Sequence, residues 1–477
     1  MSSRYNVVVI GAGSAGLVSS YVAAALKAKV ALIERHKMGG DCLNTGCVPS
    51  KALIKTARFI ADMRRCQELG VKRVDFEVDF AQVMERVKRV VAEVEPHDSV
   101  ARYSGLGVEC ISGTGEILDP HNVRVGGRTL NTKNIIVATG GSPFIPPLKG
   151  IDKIKPLTSE NLWDIRTLPR RLIVLGGGPI GSEMAQAFAR IGSRVTQIEQ
   201  GPRILPREDD DVAAEIAHFF KKDGVEIVTQ TKAKEILIEN GEKILVCDSP
   251  TGERRIAFDE LLCAVGRRAN TSGVDWAKHG IELNPNGTIK VDEFLRTTQK
   301  NIYACGDVVG PFQFTHTASH QAGYCVINSI FSPIKKFKAD YTVIPWVTFV
   351  DPEVAQVGLN EQMAKAKNIP YEVTKYGLDD LDRAICESEA HGFVKVLTKP
   401  GSDKIIGATI VGHNAGEYFI EFVQAMRQGF GLNGIMSAIH PYPTYAEANR
   451  YAAGMWKRAH APAAGLKFLE WFNRTRR

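Results

Sequence analysis

Apolar residues in this chain gather in short unbroken runs more often than they alternate with polar ones. Residues 5–10, Tyr-Asn-Val-Val-Val-Ile, read as a parallel strand buried on both faces, because no second position is reserved for water. The run enters Gly11-Ala12-Gly13-Ser14-Ala15-Gly16 and then a helical stretch. A second strand, Val30-Ala-Leu-Ile33, follows and ends on Glu34. The same pattern returns later: Leu172-Ile-Val-Leu175, the loop Gly176-Gly177-Gly178-Pro179-Ile180-Gly181, then Val195-Thr-Gln-Ile198 ending on Glu199. In both copies the acid lies 23 residues after the first glycine, so the repeat is one of function. Glycines permit a tight turn and close backbone approach, the helix N-terminus faces a pyrophosphate, and the acid accepts from ribose hydroxyls. The chain is therefore expected to bind two dinucleotides, through Gly11, Gly13, Gly16 and Glu34 and through Gly176, Gly178, Gly181 and Glu199.

Between the copies, Phe80–Val94 carries apolar residues at helical spacing, and its charges read as a solvated face. Residues 105–132 are richer in Gly, Asp and Asn and suggest short strands with turns. They close on Asn134-Ile-Ile-Val-Ala-Thr-Gly140, with Pro146-Pro147 as a linker. Leu261–Arg268 echoes that strand-to-glycine turn, and Asn301–Val308 is a strand ending in Gly306-Asp307. After about Tyr341 the pattern shifts to strands such as Phe393–Thr398 and Lys404–Gly412, with an amphipathic helix near Glu417–Met426.

Chemistry concentrates in Gly39-Gly40-Asp41-Cys42-Leu43-Asn44-Thr45-Gly46-Cys47-Val48-Pro49-Ser50-Lys51. Two cysteines five apart can close a small disulfide ring at the start of a helix, with Pro49 in its first turn. The helix N-terminus and Lys51 favour a thiolate, the reactive form. A purely stabilising disulfide is the bland alternative, although so short a ring removes little chain entropy. The spacing does not suit zinc, and no metal site is expected.

This segment resembles the redox-active stretch of the FAD-dependent pyridine nucleotide–disulfide oxidoreductases, the class of dihydrolipoamide dehydrogenase, glutathione reductase and mercuric reductase. The resemblance runs from about Tyr5 to about Tyr451. It implies that Cys42 exchanges with substrate, that Cys47 lies against the flavin, and that Lys51 sits near the flavin paired with Glu183. It also implies that Gly140 lies beside FAD, that Asp307 binds its ribityl chain, and that the first glycine module holds FAD and the second the nicotinamide cofactor. The implied architecture is α/β, with two Rossmann-like domains and an α+β C-terminal dimerisation domain. The FAD domain comprises 1–150 and 276–340 with the NAD(P) domain, 151–275, inserted in it; 341–465 makes a homodimer, and 466–477 is a tail. Glu199 favours NAD over NADP by repelling a 2′-phosphate, with Arg203 a nearby cation that argues the other way.

One departure from the family pattern bears on the acceptor. In Ile439-His440-Pro441-Tyr442-Pro443-Thr444-Tyr445-Ala446-Glu447, Tyr442 takes the place of a proton-shuttling histidine that Glu447 would orient. Tyrosine titrates near pH 10 against about 6.5 for histidine, so it is a weak shuttle at neutral pH. His440 is a minor candidate, because Pro441 and Pro443 break any helix linking it to Glu447. Mercuric reductases resemble the chain at Tyr442, yet their C-terminal cysteine pair has no counterpart in Leu466–Arg477. The expected acceptor is a small-molecule or lipoyl-domain disulfide, with a thiophilic metal or quinone-like oxidant second and a redox sensor with little turnover third.

Composition narrows the remaining possibilities. At 477 residues the chain can form about three domains. It has no run of eighteen apolar residues and no room for a removable signal before residue 5, so no membrane partner is expected; the basic, aromatic tail 466–477 reads as a plain terminal helix, with an acidic membrane surface as the minor alternative. Nine cysteines, seven of them scattered, suit a reducing compartment, and cytoplasm is the default. The net charge of +7 is small for this length and dispersed, which speaks against nucleic acid. His316, His320 and Cys305 read as packing or surface residues.

Overall fold

A computed structural model describes residues 4–332 and 334–477. The chain divides into two compact units, one of residues 1–59, 76–200 and 231–340, the other of 60–75, 201–230 and 341–477.

In the first unit, strand β1 (Tyr5–Ile10) leads to helix α1 (Ser14–Ala25) and strand β2 (Val30–Glu34). β1 pairs in parallel with β2, Val7 opposite Val30, and with strand Arg128–Val137, Val7 opposite Asn134. Strand periodicity explains the unbroken apolar run. Val7 and Val9 enter one buried cluster, while Val8 and Ile10 enter another on the opposite face. Strand Ile302–Ala304 returns to the same sheet, Ile302 opposite Ile135. Between these strands in sequence lies a second parallel group, Arg171–Leu175 flanked by Arg194–Ile198 and Glu260–Cys263. Three antiparallel strands, Lys232–Glu239, Glu242–Ser249 and Gly252–Phe258, form a further sheet that the apolar pattern had not marked.

The second unit is built on an antiparallel sheet in the order Pro345–Thr348, Glu353–Gly358, Ile405–Gly412, Phe393–Thr398, Glu372–Gly377. Ile420–Gln428, Leu432–Ser437 and Glu447–Ala459 cover it, burying Phe422, Leu432, Ile435 and Ala452. The single helix expected near Glu417–Met426 is split into Ala415–Tyr418 and Ile420–Gln428 around buried Phe419.

Residues 201–230 pack in this second unit although chain order places them within 151–275. Within that unit Asp209 and Asp211 join a buried ion cluster. Lys395 Nζ, with a side chain only 1% exposed, lies 2.7 Å from Asp209 Oδ2, 2.7 Å from Asp211 Oδ1 and 3.2 Å from Glu361 Oε1. Burial works against the lysine's charge, but the carboxylates outweigh it and raise its pKa. Beside them Glu208 is buried and accepts from Trp346 Nε1 at 2.9 Å. Burial pushes this carboxyl up to about 7, Asp209 adds to the rise, and Trp346, Arg207 and Lys395 oppose it.

The unfolded Glu208 carboxyl would lose its proton near 4.5, whereas the folded one keeps it to about 7. The folded state therefore binds the extra proton in that window, and stability falls as pH rises through it. Glu208→Gln removes this dependence, so the variant should gain on the wild type by up to about 3 kcal/mol between pH 5 and pH 8 in urea unfolding. An identical difference at both pH values would mean that Glu208 ionises normally.

Candidate functional site

Both glycine loops are shaped by the same two contacts. Gly11 has φ of 102°, and a Cβ there would lie 2.4 Å from the Ala138 carbonyl oxygen; Gly176 has φ of 114°, with a Cβ 2.5 Å from Ala264 O. A side chain would thus part each loop from the neighbouring strand. The second contact was not foreseen: each terminal acid pins its own loop. Glu34 Oε2 accepts from Ala12 N at 2.6 Å and Oε1 from His36 N at 2.7 Å, while Glu199 Oε2 accepts from Gly177 N at 2.7 Å. Gly13 caps α1 and Gly178 caps helix Pro179–Ile191, neither with a side-chain cap bond, and Gly16 and Gly181 lie in the first turns. Each helix thus presents first-turn backbone N–H groups that no capping side chain satisfies, which fits a dinucleotide pyrophosphate.

The redox segment forms two abutting helices, α2 (Gly40–Asn44), which carries Cys42, and α3 (Cys47–Arg64), which opens on Cys47. Their junction is held by Thr45 N donating to Asp41 O at 2.9 Å and by Trp163 Nε1 donating to Thr45 O at 2.8 Å. Pro49 falls in the first turn of α3, where its missing N–H costs nothing. Cys47 is solvent-exposed, and its Sγ lies 3.4 Å from Thr315 Oγ1. The two cysteines titrate apart. The hydrogen bond from Cys42 lowers Cys47 to about 6, desolvation opposes this, and Thr315 and Lys51 assist it. The same bond raises Cys42 well above the usual thiol range, burial adding to the rise. Of the reduced pair, Cys47 carries the negative charge and Cys42 the proton.

Lys51 Nζ lies 2.9 Å from Glu183 Oε2, the carboxylate being buried on helix Pro179–Ile191 and the ammonium partly exposed. Gly140 takes φ of 67° at the end of strand Arg128–Val137. Nearby, Arg267 joins groups that are distant in sequence: Nη1 is 3.1 Å from Asp41 Oδ2 and Nε 3.5 Å from Asp307 Oδ2, and Nη2 donates to Gly141 O. Burial raises the Asp307 carboxyl and Arg267 works against that rise. Arg267 and Thr315 are site residues that sequence reasoning missed. Arg267 lies in the quoted Leu261–Arg268 run, but no local pattern assigns it a partner 226 residues away in the chain.

The C-terminal candidates belong to the second unit. Tyr442 is exposed, and its hydroxyl donates to Asp382 Oδ2 at 2.9 Å, a bond that raises its pKa. Glu447 is buried, and its Oε2 accepts from Thr444 N at 3.2 Å. Asp382, not Glu447, is thus the hydroxyl's acceptor, and Glu447 closes the turn before its own helix. The His440 ring sits between Glu421 Oε1 and Ala438 O, each at 3.1 Å. Among the described residues, no cluster of three or more His, Cys, Asp or Glu is placed to hold a metal ion, and no helix is long and apolar enough to cross a membrane.

Comparison with known proteins follows this geometry. Residues 5–322 match the family model described as pyridine nucleotide-disulphide oxidoreductase, and residues 344–453 match the dimerisation domain of the same family. The chain is 33% identical to mercuric reductase of Lysinibacillus sphaericus, over 94% of this chain and 82% of that one. It is 32% identical to dihydrolipoyl dehydrogenase of Chlamydia muridarum, over 94% and 96%. Among solved structures, the Cu(II) complex of the HOCl-induced flavoprotein disulfide reductase RclA from Escherichia coli superposes with a TM-score of 0.84 at 28% identity, covering 95% of this chain and 99% of that one. With both of its family models matched and relatives of this kind aligned over nearly its whole length, the chain belongs to the pyridine nucleotide-disulphide oxidoreductases, flavoproteins that use FAD and NAD(P)H.

Proposed function

We propose that the protein is an NADH-dependent reductase that passes two electrons through the Cys42–Cys47 pair to a disulfide acceptor of the lipoamide kind. The observation that carries this reading is the placement of the pair, Cys42 on α2 and Cys47 opening α3, with Cys47 Sγ 3.4 Å from Thr315 Oγ1 and the ion-paired Lys51 one turn further along α3. FAD, when bound, supplies the two-electron carrier between nicotinamide and cysteines; the residues that would hold it are the first glycine loop, Glu34, Gly140 and Asp307. Two electrons break the Cys42–Cys47 bond and leave Cys47 as thiolate and Cys42 as thiol. Cys42 then gives up its proton and attacks the acceptor disulfide, releasing one thiol. Cys47 attacks the Cys42 sulfur, restores the ring and releases the second thiol. NADH, a proton and one disulfide thus become NAD⁺ and two thiols. Lys51, paired with Glu183, keeps a positive charge near Cys47 throughout. A homodimer that lends Tyr442 and Glu447 to the partner's acceptor side, and a cytoplasmic location, complete the reading.

The preference for NADH rests on Glu199, whose charge repels a 2′-phosphate. Arg203 is engaged by Asp210 Oδ1 at 2.8 Å, Glu208 O at 3.0 Å and Gln362 Oε1 at 3.1 Å, which supports the same preference.

A second reading, reduction of a thiophilic metal ion, is favoured by Tyr442. Its hydroxyl, bonded to Asp382, stays protonated at neutral pH and has no free base form to take the Cys42 proton, whereas a soft metal ion takes thiolates directly. The mercuric reductase relative and the Cu(II) complex of RclA support keeping it.

Stopped-flow reoxidation of NADH-reduced enzyme by lipoamide, glutathione disulfide and Hg(II) separates the two. The disulfide reading expects fast discharge by lipoamide in the wild type; discharge of disulfides only in Tyr442→His would give the metal the lead. In the reduced enzyme, iodoacetamide labelling of Cys47 should inflect near pH 6, and Cys42→Ala should move the inflection up by about one unit or more. No movement would assign the acidity to Lys51 and the helix N-terminus. Glu199→Ser should lower the kcat/KM ratio of NADH to NADPH by about tenfold or more, and an unchanged ratio would remove Glu199 from cofactor choice.

A further inference from the structure

The C-terminal helix, Ala463–Thr475, buries none of its residues, yet five of them are large and apolar. Phe468 and Trp471 are each 59% exposed, Leu466 54%, Leu469 51% and Phe472 36%. At about 100° per residue, Trp471, Phe468, Phe472 and Leu469 share an arc of about 160°, with Lys467, Glu470 and Arg474 on the opposite side. The rings touch one another: Phe468 lies 5.8 Å from Trp471 and 6.2 Å from Phe472, and Arg476 sits 4.6 Å over Phe472. An apolar face of this kind, with Thr475 and Arg476 the only polar residues entering its arc, at the C-terminal end, marks a contact surface.

Charge identifies the partner. The segment holds Lys467, Arg474, Arg476 and Arg477 against one carboxylate, Glu470, which Arg474 already engages at 2.6 Å. Lys457 and Arg458 close the preceding helix. Two such helices packed face to face would bring Lys467, Arg474, Arg476 and Arg477 of both copies together, whereas an anionic surface complements them. Thirteen residues of helix reach only about 20 Å, too short to span a bilayer but suited to lie in its interface, aromatic rings inward and cations at the headgroups. The matched dimerisation segment ends at residue 453, before this helix begins.

We propose that Ala463–Arg477 is an interfacial anchor that lays its aromatic face into an anionic lipid bilayer and holds the oxidoreductase at the membrane surface. The test is co-sedimentation of the full-length, FAD-loaded protein with vesicles of phosphatidylcholine alone or with about one-third phosphatidylglycerol. Binding should be at least about tenfold stronger to the anionic vesicles and should weaken in high salt. It should be lost in Phe468→Asp/Trp471→Asp and lose its lipid preference in Lys467→Glu/Arg474→Glu, while NADH turnover with a generic electron acceptor is retained in both. Absence of binding to either vesicle, or undiminished binding of the aspartate variant, would overturn the proposal. So would conversion of a dimer to monomers by the aspartate variant in lipid-free buffer, which would assign the face to the second subunit.

Discussion

The ion pair between Lys51 and Glu183 ties the cysteine-bearing helix to the helix of the second glycine loop. Lys51 lies one turn into the helix that Cys47 opens, and Glu183 lies one turn into the helix of the second glycine module. A contact of 2.9 Å between them fixes the redox helix against the module assigned to the nicotinamide cofactor. The carboxylate is buried, and Lys51 offsets the cost of burying its charge. That contact holds the first turn of α3, and with it Cys47, beside the second glycine module.

The sequence was most informative where a local motif and a strand pattern coincide. The two strand–glycine–helix–strand–acid units could be read because every part lies within about 30 residues, the span of one supersecondary unit. The cysteine segment could be read for the same reason. Arg267, Thr315 and Asp382 could not, since each acts on a residue brought near only by the completed fold. Tyr442 was legible as a departure in type, yet its partner was not: Glu447 is five residues away in sequence, and Asp382 is sixty.

The antiparallel strands between Lys232 and Phe258 escaped notice because charged residues sit at many of their positions, so one face meets solvent and no apolar run forms. The assignment of residues 201–230 escaped for a different reason. Chain order places them beside the second glycine module, and composition there gives no boundary. What local pattern could not show is the distant partner: Asp209 and Asp211 meet Lys395, a buried cation, and their carboxylates offset the cost of burying its charge.

That pairing bears on how the protein is made. Asp209 and Asp211 leave the ribosome more than 180 residues before Lys395 does. Throughout that interval the two acids have no buried cation to meet and stay hydrated at the surface of the nascent chain. In the C-terminal sheet, strand Glu353–Gly358 likewise waits for its neighbour Ile405–Gly412 before the sheet's interior can close. The dinucleotide modules are thus free to form during synthesis, while the second unit is completed only near its end, and an early stop in translation would leave Asp209 and Asp211 without the buried cation they meet in the folded protein.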